Sequence, residues 1–264
     1  MNNQIFSIIG GGNMGAAIAE GLIKSGLFQP SNIIVSDIRQ KQLSFLKEKG
    51  VQVISDNVEA VKKANIILLA VKPYHINLVL DQIKSFLDPE KQLLLSIAAG
   101  ITCAQILESV GIMPIFRIIP NTAISIQESM TCMSVVNVTP EQEELVVNIF
   151  NQLGKTVVIN EDLMNAATVI GSCGTAFALR FLRASMQGGI EIGFNSELAQ
   201  LISAQTILGA SKLILESGRH PEQEIDKVTT PQGITIVGLN EMEHQGFSSA
   251  LIKGVITSFS KLKK

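Results

Sequence analysis

The chain has 264 residues, of which 46% are hydrophobic and 17% charged, with a formal net charge of −2; this fits one large or two ordinary globular domains and excludes a disordered or highly charged class. Its basic residues are scattered, clustering at Lys62-Lys63 and Lys261 to Lys264, so no stripe suited to nucleic acid or to an acidic membrane surface is expected. Cys103, Cys132 and Cys173 are widely spaced without a Cys-x-x-Cys pair, and His75, His220 and His244 stand alone, so neither a disulfide framework nor a metal site is expected.

In chain order, Gln4 to Ile9 reads as a hydrophobic strand that runs into Gly10-Gly11-Gly12-Asn13-Met14-Gly15 and then a helical segment from Ala16 to Lys24. This is a Gly-x-Gly-x-x-Gly turn between strand and helix, the fingerprint of a dinucleotide site. Gly10 permits the tight turn, Gly12 lets the backbone approach a pyrophosphate, and Gly15 lets the helix sit close on the strand. The phosphates then face the unpaired N–H groups of the helix N-terminus. Nothing before this strand combines a basic region with an apolar core, so a cytoplasmic location is expected. The next strand, Asn32 to Asp37, ends in the acidic residue expected to hold an adenosine ribose; Arg39 lies just beyond it. Asp37 favours NADH by repelling a 2′-phosphate, whereas Arg39 accommodates that phosphate, so both NADPH and NADH remain open.

Further strands are predicted at Val51 to Ile54, Asn65 to Val71, Gln92 to Ile97 and Met113 to Ile118, alternating with helices at the spacing of βαβ units. Several are almost continuously apolar, as strands covered on both faces should be. Thr131 to Val138 and Thr156 to Ile159, around a helix at Pro140 to Leu153, are expected to finish the sheet edge. The result is an α/β class with a doubly wound parallel sheet of Rossmann type. Ligands of such sheets bind beyond the carboxyl ends of the strands. Ala70-Val71-Lys72-Pro73 occupies such an end, and Lys72 is either a partner for coenzyme phosphates or a substrate anion, or a solvated loop lysine. Ser96 to Ile101, including Ala98, offers small residues where a nicotinamide needs space, or where helix and sheet pack closely. Asn121 and Thr122, after the strand containing Arg117, are expected to face the same crevice.

After Asn160 the spacing of apolar residues changes from 2 toward 3.6, which predicts a helical second domain at 161–264 after a first at 1–160. Gly171 to Met186 and Leu198 to Glu216 are apolar over more than one face, which predicts a homo-oligomer formed through this domain. Gln200, Gln205 and Lys212 interrupt Leu198 to Leu215, so no membrane span is expected there. Val228-Thr229-Thr230-Pro231-Gln232-Gly233-Ile234-Thr235-Ile236 places hydroxyls, a proline and a glycine before a helix, as either an ordinary N-cap or a receptor for a small carboxylate.

Together these segments resemble the pyrroline-5-carboxylate reductase family. The resemblance rests on the fingerprint, Asn57, Ala70 to Pro73, Ser96 to Ile101, Pro120-Asn121-Thr122, Asp162-Leu163, Gly188-Gly189, Ala204 to Ala210, His220-Pro221 and Val228 to Leu239. It implies a Rossmann domain, an all-helical dimerisation domain, and NAD(P)H-dependent reduction of a cyclic imino acid to L-proline. It also implies coenzyme contacts from Gly10, Gly12, Asn13, Met14, Gly15, Asp37, Arg39, Asn57, Ala70, Val71, Lys72, Pro73, Ala98 and Asn121. For the substrate it implies Thr229, Thr230, Gln232, Gly233, Ile234 and Thr235, with Thr235 as the hydroxyl near the reacting ring and Thr230 holding the turn or the carboxylate. The family pattern Ser-Pro-Gly-Gly-Thr-Thr becomes Thr230 to Thr235 with Gln232 for a glycine and Ile234 for a threonine; Ser-Gly-Ser-Gly-Pro-Ala-Tyr becomes Gly171 to Phe177. Two other readings share the front half. A β-hydroxyacid dehydrogenase needs a catalytic lysine on its helical domain, and between Glu161 and Gly218 only Lys212 is present, without that family's surroundings. A non-catalytic dinucleotide-binding protein would explain Gln232.

Overall fold

The computed structural model describes residues 4–262; Lys263 and Lys264 of the C-terminal basic cluster lie outside the described residues. The chain divides into two compact units, Met1–Cys173 and Gly174–Lys264. The expected boundary at residue 160 falls inside the first unit.

In the first unit, strands and helices alternate as β1 (Phe6–Ile9), α1 (Asn13–Ser25), β2 (Ile33–Ser36), α2 (Ser44–Glu48), β3 (Gln52–Ile54), α3 (Asn57–Lys63), β4 (Ile66–Leu69), α4 (Ile76–Ile83), β5 (Leu93–Ser96) and α5 (Cys103–Val110). They continue with β6 (Ile115–Ile119), β7 (Ser129–Val136), α6 (Pro140–Asn151), β8 (Gly154–Val158) and α7 (Met164–Ala167). One sheet runs in the order β3-β2-β1-β4-β5-β6-β7-β8. The order reverses between β1 and β4, the switch point at which doubly wound sheets bind ligands.

The side chains of β1, β4 and β5 are buried on both faces, and alternate positions feed two separate cores. Phe6, Ile8, Leu68, Leu95 and Phe116 pack on one face with Ile18 and Leu22 of α1. Ile9, Ile67, Leu69, Leu94 and Ile115 pack on the other with Val61, Leu80 and Ile106. Each fully buried aliphatic side chain contributes about 1.5–3 kcal/mol, so the two cores together are the main source of stability.

The parallel pattern breaks once. β7 pairs antiparallel with β6, with Arg117 opposite Ser134, and β8 then runs parallel to β7 at the edge. The reason is the length of the link: residues 120–128 hold a 3-10 turn at Thr122–Ile126, and a parallel return needs a crossover of a dozen residues or more. Helix starts are set locally. Thr102 with Gln105, and Thr139 with Gln142, form capping boxes at α5 and α6, and Asp56 accepts the Val58 and Glu59 N–H groups at the start of α3.

The second unit is all helical: α8 (Gly174–Glu191), α9 (Ser196–Ser217), α10 (Pro221–Val228), α11 (Ile234–His244) and α12 (Phe247–Leu262). His220 caps α10 through its ring nitrogen, with Pro221 in the first turn, which gives the His220-Pro221 pair a structural purpose. Among the described residues of this unit only Met186 and Ala199 are buried. Leu201, Leu213, Leu215, Val237 and Ile252 are all more than half exposed. α9, 22 residues long with an 18-residue window of mean hydropathy 1.4, is long and apolar enough to cross a membrane by length and composition alone, a test that leaves the sequence expectation undecided. An apolar helix at the centre of a soluble oligomer meets the same criterion.

Candidate functional site

The glycine turn lies in the first unit, at the carboxyl ends of β1, β2 and β4. Gly10 has φ +107, and a Cβ there would stand 2.8 Å from the Ala70 carbonyl. A Cβ on Gly15 would collide with the Gly10 oxygen, so α1 can lie this close to β1 only with glycine at that position. Gly12 is different: a Cβ there would meet nothing within 4 Å. The space in front of Gly12 is open enough for a pyrophosphate, and Gly12 caps α1 with no side-chain acceptor for the first-turn N–H groups. Asn13 and Met14 start that helix. The residues present therefore fit a dinucleotide.

Asp37 follows β2. One carboxylate oxygen accepts the Gly11 N–H at 2.8 Å; the other accepts the Arg39 N–H at 2.7 Å and stands 3.6 Å from the Arg39 Nε. The carboxylate is 9% exposed and the Arg39 side chain 59%. Asp37 thus braces the glycine turn, and Arg39 offsets its charge. The repulsion of a 2′-phosphate expected from Asp37 is weakened for that reason.

Asn57, the first residue of α3, accepts the Ser36 hydroxyl at 2.7 Å and donates to Gln82 Oε1 at 2.9 Å. A shallow cleft beside them is lined by Ile38, Ser55, Asp56, Asn57, Val58 and Gln82. Gln82, on α4, carried no signal in the sequence. Ala70, Val71, Lys72 and Pro73 leave β4 next to Gly10: the Ala70 N–H reaches the Ile9 carbonyl at 2.8 Å, and exposed Lys72 precedes a 3-10 turn opened by Pro73. Ala98 is buried after β5. Asn121 is buried and engaged at both ends of its amide: it accepts the Ala123 N–H and donates to the Gly171 carbonyl at 2.9 Å, inside a π-helical turn at Thr168–Cys173. That turn was not legible in the sequence.

Behind this edge, Arg117 is 2% exposed and donates to Glu161 Oε1 at 3.0 Å and to Asn165 at 3.2 Å. Glu161 also accepts the Cys103 N–H at 2.7 Å. Burial pushes the Glu161 carboxyl up, but the bonds from Cys103 and Arg117 outweigh it and hold the carboxyl below its ordinary value. Burial, with the Glu161 carboxylate beside it, pushes the Cys103 thiol up to about 11.

The second unit carries a separate turn between α10 and α11. Thr230 to Gly233 make a tight turn in which the Gly233 N–H reaches the Thr230 carbonyl at 2.9 Å. Gln232 has φ +62, at the turn position that favours glycine. A Cβ on Gly233 would stand 2.9 Å from the Thr230 carbonyl oxygen and 2.5 Å from its Oγ1, so any side chain there would have to shift the turn. Gly233 caps α11 without a side-chain acceptor, leaving the first-turn N–H groups, those of Ile234, Thr235 and Ile236, open to an anion. The Thr229 hydroxyl donates back to the Ile225 and Asp226 carbonyls. The Thr230 and Thr235 hydroxyls bond no other described residue; the Ile234 side chain is 92% exposed. Among the described residues no group of acidic, histidine or cysteine side chains has a metal-binding arrangement.

A dinucleotide cradle on a doubly wound sheet, followed by a helical unit with an anion-receiving turn, defines a nicotinamide-dependent oxidoreductase with a separate helical domain. Residues 161–264 match the family model described as pyrroline-5-carboxylate reductase dimerisation, and residues 5–100 the model described as NADP oxidoreductase, coenzyme F420-dependent. Over its full length the chain is 40% identical to pyrroline-5-carboxylate reductase 2 of Dictyostelium discoideum, covering 93% of that protein. It is 36% identical to pyrroline-5-carboxylate reductase of Methanosarcina acetivorans, covering 98% of it. Among solved structures, Plasmodium falciparum pyrroline carboxylate reductase with NADP bound superposes with a TM-score of 0.91 at 29% identity, over 100% of this chain and 98% of that one. The chain belongs to the pyrroline-5-carboxylate reductase family.

Proposed function

We infer that the chain reduces L-1-pyrroline-5-carboxylate to L-proline at the expense of NADPH, and less readily of NADH. The observation that carries this reading is the pairing of two features in one chain: a glycine cradle that fits a pyrophosphate, and an uncapped helix N-terminus at the signature turn that fits a small carboxylate. When bound, the reduced nicotinamide supplies the hydride for C5 of the imine. The Gly10 to Gly15 turn and the N-terminus of α1, starting at Asn13 and Met14, hold the pyrophosphate. Arg39 receives the 2′-phosphate, Asn57 the adenosine end, Lys72 within Ala70 to Pro73 the phosphates, and Ala98 and Asn121 bound the nicotinamide side. The N–H groups of α11 and the hydroxyls of Thr230 and Thr235 orient the substrate carboxylate and ring, with Gln232, Gly233 and Ile234 shaping the turn and Thr229 fixing its start.

The ring nitrogen needs one proton when C5 takes a hydride, and the imine is basic enough to take it from water. Positioning then supplies most of the acceleration, which suits a turn rich in N–H groups and hydroxyls rather than an acid–base pair. We place the functional division at residues 1–160 and 161–264, since the dimerisation model begins at 161. The exposed apolar helices of 161–264 support a homodimer or higher homo-oligomer. A cytoplasmic, soluble enzyme is the corresponding cellular form. The test is absorbance of NADPH and NADH with purified protein and freshly made L-1-pyrroline-5-carboxylate: substrate-dependent oxidation with proline formed in equal amount is expected. Coenzyme binding without turnover would replace this reading with a binding protein.

A further inference from the structure

Asn57 is hydrogen-bonded from two sides. Its carbonyl oxygen accepts the Ser36 hydroxyl at 2.7 Å, and its amide nitrogen donates to Gln82 Oε1 at 2.9 Å. Ser36 ends β2 and Gln82 belongs to α4, so the relay joins strand, helix and the first residue of α3. An amide can turn end for end unless its neighbours fix which end donates. Here Gln82 turns its amide oxygen to the Asn57 nitrogen, and the second Asn57 N–H is unused among the described residues. Asn57 and Gln82 line the same cleft as Ile38. Ile38 is 89% exposed and offers that cleft an apolar wall, the setting in which a flat base binds beside a few fixed polar groups.

We propose that Gln82 is a positioning residue for the adenosine end of the coenzyme, acting through Asn57 by holding its amide with the nitrogen toward α4 and the second N–H presented to the ligand. The proposal rests on the coenzyme-binding reading above. Gln82 has no core function that would complicate a test, because it lies on the exposed face of α4. What it supplies is an acceptor. A carboxylate supplies the same acceptor, and a leucine of similar size does not.

The experiment compares wild type, Gln82→Leu and Gln82→Glu. NADPH and NADH binding is followed by the fluorescence change of the reduced nicotinamide or by calorimetry, without substrate; apo-protein melting serves as a folding control. Losing one oriented hydrogen-bond partner is expected to weaken NADPH binding by about fivefold to tenfold in Gln82→Leu. Gln82→Glu should stay within about threefold of wild type, because the relay survives. In turnover, Gln82→Leu should raise KM for the coenzyme by the same factor while kcat and KM for the imine stay unchanged. Wild-type affinity in Gln82→Leu, or a Gln82→Glu variant as weak as Gln82→Leu, overturns the proposal. Failure of the wild type to bind either coenzyme instead overturns the functional reading on which it stands.

Discussion

The Asp37 carboxylate accepts the Gly11 N–H at 2.8 Å, across 26 residues of chain. The end of β2 therefore braces the glycine turn after β1, and the same carboxylate bonds the Arg39 N–H and pairs with its side chain. The proposed preference for NADPH rests on this arrangement. Arg39 is the exposed cation on that rim, so Arg39→Ala should raise KM for NADPH by about tenfold, the order of a charge-assisted bond at a partly exposed site, and leave KM for NADH within about twofold. Initial rates with the two coenzymes check this; an equal effect on both would remove Arg39 from 2′-phosphate recognition.

Gly15→Ala tests the closeness of α1 to β1. The added methyl collides with the Gly10 oxygen and no flexible side chain can give way, so α1 must move off the strand. A loss of about 1–3 kcal/mol in unfolding free energy is expected, as for other overpacked positions. Coenzyme binding should fall with it, since the displaced helix carries the N–H groups proposed to hold the phosphates. Urea titration together with coenzyme titration reads both effects; unchanged binding in a destabilised protein would place the phosphates elsewhere.

The signature turn carries a built-in cost. Gln232 adopts φ +62, which disfavours a residue with a Cβ by about 1–2 kcal/mol, while glycine loses about 0.5–1 kcal/mol more backbone entropy on ordering. Gln232→Gly should therefore raise the unfolding midpoint slightly and lower KM for the imine, by removing a bulky amide beside the proposed carboxylate site. Gln232→Val should do the opposite more strongly. Melting curves and steady-state kinetics on both variants are sufficient, and a higher substrate KM in Gln232→Gly would mean that the amide itself binds substrate.

Glu161 makes stability depend on pH in a defined direction. Burial raises its pKa, the Cys103 and Arg117 bonds lower it more, and the net folded value lies below the ordinary 4.5. A carboxyl depressed by folding stabilises the protein above its unfolded pKa and loses that contribution as pH falls through the folded value. Wild type should therefore lose urea resistance between about pH 5 and pH 3 relative to Glu161→Gln. Parallel curves for the two proteins across that window would contradict the linkage.

The cysteines should separate by reactivity. Cys103 and Cys132 are buried and Cys173 is half-buried; burial pushes the Cys103 thiol up to about 11 and raises that of Cys132 as well. At pH 8 only about one Cys103 in a thousand is thiolate. A thiol reagent should label Cys173 first and the other two only in denaturant, as peptide mapping would show. Early labelling at Cys103 would mean that α5 opens readily.

The sequence made β1, β4 and β5 easy to find because both their faces are covered, so nearly every residue is apolar. The antiparallel return of β7 was not legible: direction depends on the nine-residue length of 120–128, and the strand pattern of β7 is the same either way. At the site, the glycine fingerprint was readable because backbone geometry demands glycine at Gly10 and Gly15. Gln82 was invisible, since an amide on an exposed helix face has no periodic signature and meets Asn57 only through the fold. Thr229 was grouped with the other hydroxyls of the signature, yet its own hydroxyl turns back onto α10; composition alone cannot tell a helix-terminal threonine from a ligand-facing one.

The side chains of both large cores come from residues 6–153, whereas the helices that follow bury almost nothing among themselves. During synthesis from the N-terminus, the sheet can therefore close before α9 has left the ribosome, and the last hundred residues emerge as an adhesive tail on an already folded body. For that interval Leu201, Leu213 and Leu215 stand exposed to any apolar neighbour, the condition under which partly folded chains aggregate.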